Sequence, residues 1–91
     1  MAAAEDSLQH KGGKGTRFPV YRMLADGRHF YRIEGRTRFT EIQLVGARSV
    51  VHHVDATAYP EQLRVQDMID GHRGSYLPLE AEEWERRWAA I

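Results

Sequence analysis

Two short segments near the start of the chain alternate densely between large apolar and polar residues. Phe18-Pro19-Val20-Tyr21-Arg22-Met23-Leu24 and His29-Phe30-Tyr31-Arg32-Ile33-Glu34 are rich in aromatic and β-branched side chains, the composition of strands. Between them stands Ala25-Asp26-Gly27-Arg28. Asp-Gly tolerates positive φ at both central positions of a type I′ hairpin turn. A two-residue turn at 26–27 sets Leu24 against His29, Arg22 against Tyr31, Val20 against Ile33, and Tyr21 against Arg32. One face then carries Phe18, Val20, Leu24, Tyr31 and Ile33. The other carries Tyr21, Met23, Phe30, Arg32 and Glu34.

Gly35-Arg36-Thr37-Arg38 follows, and then Phe39-Thr40-Glu41-Ile42-Gln43-Leu44-Val45. A four-residue loop pairs Glu34 with Phe39, Arg32 with Glu41, and Tyr31 with Ile42. Ile42 and Leu44 then join the Val20/Ile33 face, where a slip of one residue would send them to the opposite side. Gly46 turns the chain into Arg48-Ser49-Val50-Val51-His52-His53-Val54. The expectation is a four-stranded antiparallel meander over 18–54.

Residues 60–70 send mixed signals. Pro60 before and Gly71 after are helix punctuation. At spacing two, however, Leu63, Val65 and Ile69 share one face while Arg64, Gln66 and Asp70 share the other, and this favours a strand over 62–69. A further strand over 75–79 is expected at a sheet edge, because Pro78 cannot donate to a central ladder. The segment 80–90 reads as a helix. Ala81, Trp84, Trp88 and Ile91 form one stripe, Glu82–Arg86 and Glu83–Arg87 are favourable i,i+4 pairs, and acidic residues crowd the first turn. Both tryptophans are expected in the core. The predicted class is α+β: an antiparallel meander, extended by the strands near 62–69 and 75–79 and covered by the C-terminal amphipathic helix.

The chain has 91 residues, of which 42% are hydrophobic and 29% charged, ordinary values for one small globular domain. Residues 1–17 hold Leu8 as the one large aliphatic side chain and then run through Lys11-Gly12-Gly13-Lys14-Gly15-Thr16. They lack the apolar surface that would offset ordering, so a disordered tail over 1–17 and a single domain over 18–91 are expected. There are no cysteines, which excludes disulfide staples, thiolate metal sites and a cysteine nucleophile. No export signal and no membrane-length apolar run are visible, and the cytoplasm is the expected compartment. Arginine outnumbers lysine by 11 to 2, a skew that suits GC-rich bacterial coding. The net charge is zero, yet residues 1–50 hold nine cations to five anions and residues 51–91 hold four to eight. That polarity is either neutralised within the fold or promotes head-to-tail self-association.

Chemical motifs are few and each fails a test. Gly12-Gly13-Lys14-Gly15-Thr16 lacks the first glycine of a phosphate loop, places Gly15 where Ser or Thr is required, and follows no strand. Gly71-His72-Arg73-Gly74 has the spacing of an RNA-gripping Gly-x-x-Gly loop, but that loop joins two helices; a plain turn is expected. His53 and Asp55 project from the same strand face, yet a catalytic zinc takes three protein ligands and no third is assignable. His52 is expected near Glu41. Glu82, Glu83 and Glu85 read as a solvated helix face. No catalytic residue, metal or cofactor is expected.

The informative feature is the second sheet face, where Tyr21, Met23, Phe30 and Phe39 accompany Arg32. Exposed, it is a partner-binding patch with the composition of interface cores; covered by the strands near 62–69 and 75–79, it is the inside of a roll. The functional expectation is a non-enzymatic interaction module, with a protein partner or a homodimer, acting through Tyr21, Met23, Phe30, Arg32 and Phe39. The alternative is weak binding of single-stranded nucleic acid by Tyr21, Phe30 and Arg32 together with Lys11 and Lys14. A metal-assisted enzyme around His53 and Asp55 is the third reading.

Overall fold

The Asp26-Gly27 hairpin forms in the expected register, with Val20 against Ile33, Tyr21 against Arg32, Arg22 against Tyr31 and Met23 against Phe30. Its turn differs from expectation. Only Gly27 takes positive φ, at 74°, and the Gly27 N–H donates to the Leu24 carbonyl. Asp26 instead folds its side chain back, with Oδ1 accepting from the Arg28 N–H at 2.7 Å, the local turn that aspartate favours. The computed structural model describes residues 16–91; nearly all of the expected tail over 1–17 lies outside the described residues. The elements are β1 (Val20–Leu24), β2 (His29–Gly35), β3 (Arg38–Val45), β4 (Arg48–Asp55), α1 (Tyr59–Asp70), a 3₁₀ turn at His72–Gly74, β5 (Tyr76–Pro78) and α2 (Ala81–Ala89). The five strands form one antiparallel sheet in the order β4-β3-β2-β1-β5. The fold is α+β with a meander sheet, and β5 with its Pro78 lies at an edge.

The second hairpin corrects the expected register. Gly35 pairs with Arg38, but the ladder shifts between Ile33 and Gly35, so that Ile33 faces Phe39, Arg32 faces Thr40, Tyr31 faces Glu41 and Phe30 faces Ile42. One extra residue on β2, Glu34, is a bulge. The four-residue-loop register holds at the turn and is lost beyond it. Past the bulge every β3 side chain sits on the opposite face from the one expected. Phe39 therefore joins Tyr31 and Ile33, while Ile42 joins Phe30, and Glu41 faces Tyr31 and not Arg32. On the far side, His52 does stand opposite Glu41.

Residues 62–69 lie in a helix, not a strand. Val65 and Met68 are buried and Ile69 packs beside them, an i, i+3, i+4 stripe, whereas Leu63 is exposed. The topology explains why tertiary packing prevails here. β4 and β5 occupy opposite edges of the sheet, so the chain must cross its whole width. Four strand spacings are about 19 Å, and twelve helical residues are about 18 Å long. Gly71 ends α1 in the left-handed conformation at φ 87°, as a C′ glycine does.

The sheet is covered on both faces. Beneath α1 lie Tyr31, Ile33 and Phe39 with Val65, Met68 and Ala56, flanked by Phe18, Val20, Leu24, Val54 and Tyr76. Beneath α2 lie Phe30 and Ile42 with Trp84, flanked by Tyr21, Met23, Leu44 and Leu79. The C-terminal helix thus covers the face opposite the Val20/Ile33 side. Arg22 reaches from β1 to the end of α1, where Nε donates to the Met68 carbonyl at 3.0 Å and Nη2 to the Ile69 carbonyl at 2.8 Å. Since α1 has no basic residue in its last turn, this guanidinium is the cation that meets the negative end of the helix dipole. Among the described residues no helix is long and apolar enough to cross a membrane.

Candidate binding cleft

The expected patch does not stand open. Phe30 is 1% exposed and lies under α2, with the Arg87 guanidinium carbon 3.9 Å from its ring centroid. Tyr21 and Met23 are half-buried against the same helix, and the Tyr21 ring lies 6.3 Å from that of Trp84. Phe39, 1% exposed, is on the opposite face with the α1 cluster. The physical cause is twofold: the Glu34 bulge removes Phe39 from the set, and α2 uses the remaining aromatics as its docking surface. Phe30 has no face left for a nucleic-acid base to stack on. Lys11 and Lys14 lie outside the described residues. Of the expected residues that are described, Arg32 and the buried Phe39 line an open site, and only Arg32 offers it an accessible side chain.

That site is a cleft of about 360 Å³ at the end of α2, lined by Arg32, Glu34, Arg38, Thr40, His53, Asp55 and Trp88, with Phe39 and Val54 at its base. Its floor is an ordered polar chain. Glu34 Oε2 accepts from Arg32 Nη2 at 3.1 Å and from the Thr40 hydroxyl at 2.9 Å, and Thr40 Oγ1 lies 3.3 Å from His53 Nδ1. With Thr40 donating to Glu34, a protonated Nδ1 on His53 donates to the hydroxyl. Thr40 is buried, so this chain orients side chains and leaves no accessible hydroxyl nucleophile. The bulge that moved Phe39 away also brings Arg32, Glu34 and Thr40 together.

Trp88 forms the cleft's rim. Its ring stacks on that of Trp84 at 5.9 Å and 18°, and His53 meets it edge-on at 6.4 Å. Trp84 is fully buried while Trp88 is 38% exposed, so only one of the two tryptophans belongs to the core. Glu83 gathers both Arg86 and Arg87; the expected Glu82–Arg86 pair gives way to this one. Outside the floor, Asp55 Oδ1 lies 3.5 Å from Arg38 Nε on the exposed rim.

His53 and Asp55 share a face as expected, yet among the described residues no three His, Cys, Asp or Glu side chains converge on a metal-sized site. Gly71–Gly74 follows a helix and precedes a strand, which is the context of a turn and not of an RNA-gripping loop. Sequence reading singled out His53, Asp55, Arg32 and Trp88 separately. Their convergence was hidden by the bulge and by which face α2 covers. No family model matches the chain, and no curated protein or solved structure matches it.

Proposed function

We propose that the protein is a small non-enzymatic interaction module that engages a protein partner at the α2–β4 end of the sheet, around Trp88, His53, Arg38 and Arg32. The observation that carries this reading is the rim tryptophan. Trp88 presents an accessible ring already fixed in place by stacking on a buried neighbour, so ordering it on binding costs little entropy. Tryptophan and arginine are the side chains most enriched at binding hot spots, and here they border a cleft whose floor is rigidly hydrogen-bonded. Apart from Arg32, the earlier expectation of the same function used residues that are core or packed against it; the exposed members of the cleft replace them. The test uses the chain as bait in extract of its source cell, compared with Arg38→Glu and Trp88→Ser variants that still melt cooperatively. A protein captured by the wild type and lost by both variants supports the reading. Capture that both variants retain, or no specific capture, refutes it.

A further inference from the structure

The two edges of the sheet are treated very differently. At one, β5 is three residues long and includes Pro78, a short edge blunted by a residue that cannot donate. At the other, β4 runs for eight residues, Arg48–Asp55, without a proline or a bulge, and pairs along its full length with β3. The Ala56 N–H bonds to the Thr37 carbonyl, so even-numbered residues turn their backbone groups inward to β3. Ser49, Val51, His53 and Asp55 therefore turn theirs outward. Long open edges with free backbone groups are templates for another strand.

We infer that β4 pairs antiparallel with β4 of a second copy of this chain, about a two-fold axis through Val51, giving one continuous ten-stranded sheet. The inference rests on the interaction-module reading and supplies its partner. Three features select a second copy. The strand meets its own copy without conflict: with the axis at Val51, Val51 meets its counterpart, Ser49 meets His53, Val50 meets His52 and Arg48 meets Val54, so no like charges oppose one another. Among the described residues, the pairing also consumes both long edges and leaves only the blunted β5 edges, which closes the assembly at two.

The third feature is the end of α2. Trp88 sits beside His53 and Asp55 in the cleft, while Ala90 sits near Ser49 in the adjoining groove, so the last turn of α2 stands over Val51. The following residue, Ile91, is 57% exposed. A two-fold axis perpendicular to the sheet places both α2 ends on the same side, facing each other across the new strand pair. The apolar rim then flanks the joined edge.

Sedimentation of the full chain over a concentration series, with amide exchange by NMR, tests this. The expected result is a mass twice that of the 10.5 kDa chain, with exchange at Ser49, Val51 and His53 slowing as concentration rises. Val51→Pro deletes an outward N–H without taking a bond from the β3 ladder and should give monomer. Ser49→Pro, which removes another outward N–H from the exposed edge, should likewise give monomer, and both proline variants should melt as cooperatively as the wild type. A monomer at every soluble concentration overturns the inference. So does a dimer whose edge amides stay unprotected, or one that both proline variants leave intact. A monomeric chain that still captures a Trp88-dependent partner refutes the second-copy assignment and leaves the interaction-module reading standing.

Discussion

Replacing Arg22 with methionine keeps the apolar stem beside Tyr31 and deletes only the guanidinium. That group makes three bonds, to the carbonyls of Met68, Ile69 and its own neighbour Tyr21 at 3.0, 2.8 and 2.9 Å. Two of these satisfy the last turn of α1, which has no basic side chain of its own. A hydrogen bond from a charged donor contributes about 1.5–3 kcal/mol, and a cation at a helix C-terminus adds a few tenths or more. Two effects reduce the sum. Burial disfavours the charged guanidinium and lowers its pKa, only partly opposed by Asp70, and the carbonyl of the partly exposed Ile69 regains some water in the variant. The expected loss is about 2 kcal/mol, a large part of the stability of so small a domain, with a fall in melting temperature of about 10 °C. Urea titrations of wild type, Arg22→Met and Arg22→Lys measure it. Lysine, with a single ammonium, should recover part of the loss. Equal stability of Arg22→Met and wild type within about 0.5 kcal/mol would refute the idea that this side chain ties β1 to α1.

Burial, reinforced by the nearby charge of Glu41, raises the pKa of the Tyr31 hydroxyl well above its ordinary value of 10.0. The neutral form is favoured by folding, so its stabilising effect is complete below about pH 10 and is lost as pH rises through the folded-state value; Tyr31→Phe should flatten the alkaline limb of a stability-versus-pH curve, and an unchanged limb would contradict this. Trp84→Ala should cost about 3–5 kcal/mol, with Trp88→Ala costing clearly less; equal losses in thermal melts would show that Trp88 is core. The double change Tyr21→Ser with Phe30→Ser should abolish the far-ultraviolet signature of the fold, because Phe30 is sealed under α2; a folded double variant would mean that α2 does not dock there.

The parts of the fold legible in the sequence are those fixed by local chemistry. Asp26-Gly27 set the β1–β2 register although the turn type differed, since a one-residue slip would put Val20 and Ile33 on opposite faces of the sheet. The β2–β3 register failed at a single bulge at Glu34, which local alternation cannot signal, and the error carried Phe39 and Ile42 to the wrong faces. For α1 the capping residues Pro60 and Gly71 were the better guide. Counting from the exposed Leu63 produced a false period of two, because the buried pair is Val65 and Met68. The stripe of α2 was readable, but not which sheet face it covers. The candidate patch was misplaced for the same reason: exposure of a sheet face depends on non-local packing, whereas the members of the cleft came from four separate elements.

The crossing of α1 from one edge of the sheet to the other also sets an order of assembly. Strands β1 to β4 are joined by tight turns, so their contacts are local and quick to form. β5 and α2 reach β1 only after the chain has traversed the full sheet, and closing that long loop carries the larger entropy cost. The meander should therefore form first, leaving Phe30 and Ile42 bare until α2 arrives as the closing element. Pulse-labelled amide exchange should protect β2 and β3 before β5; simultaneous protection would show that the sheet nucleates as a unit. Newly made chains would then pass through a short-lived sticky stage, and any truncation that removes Trp84 would hold them in it.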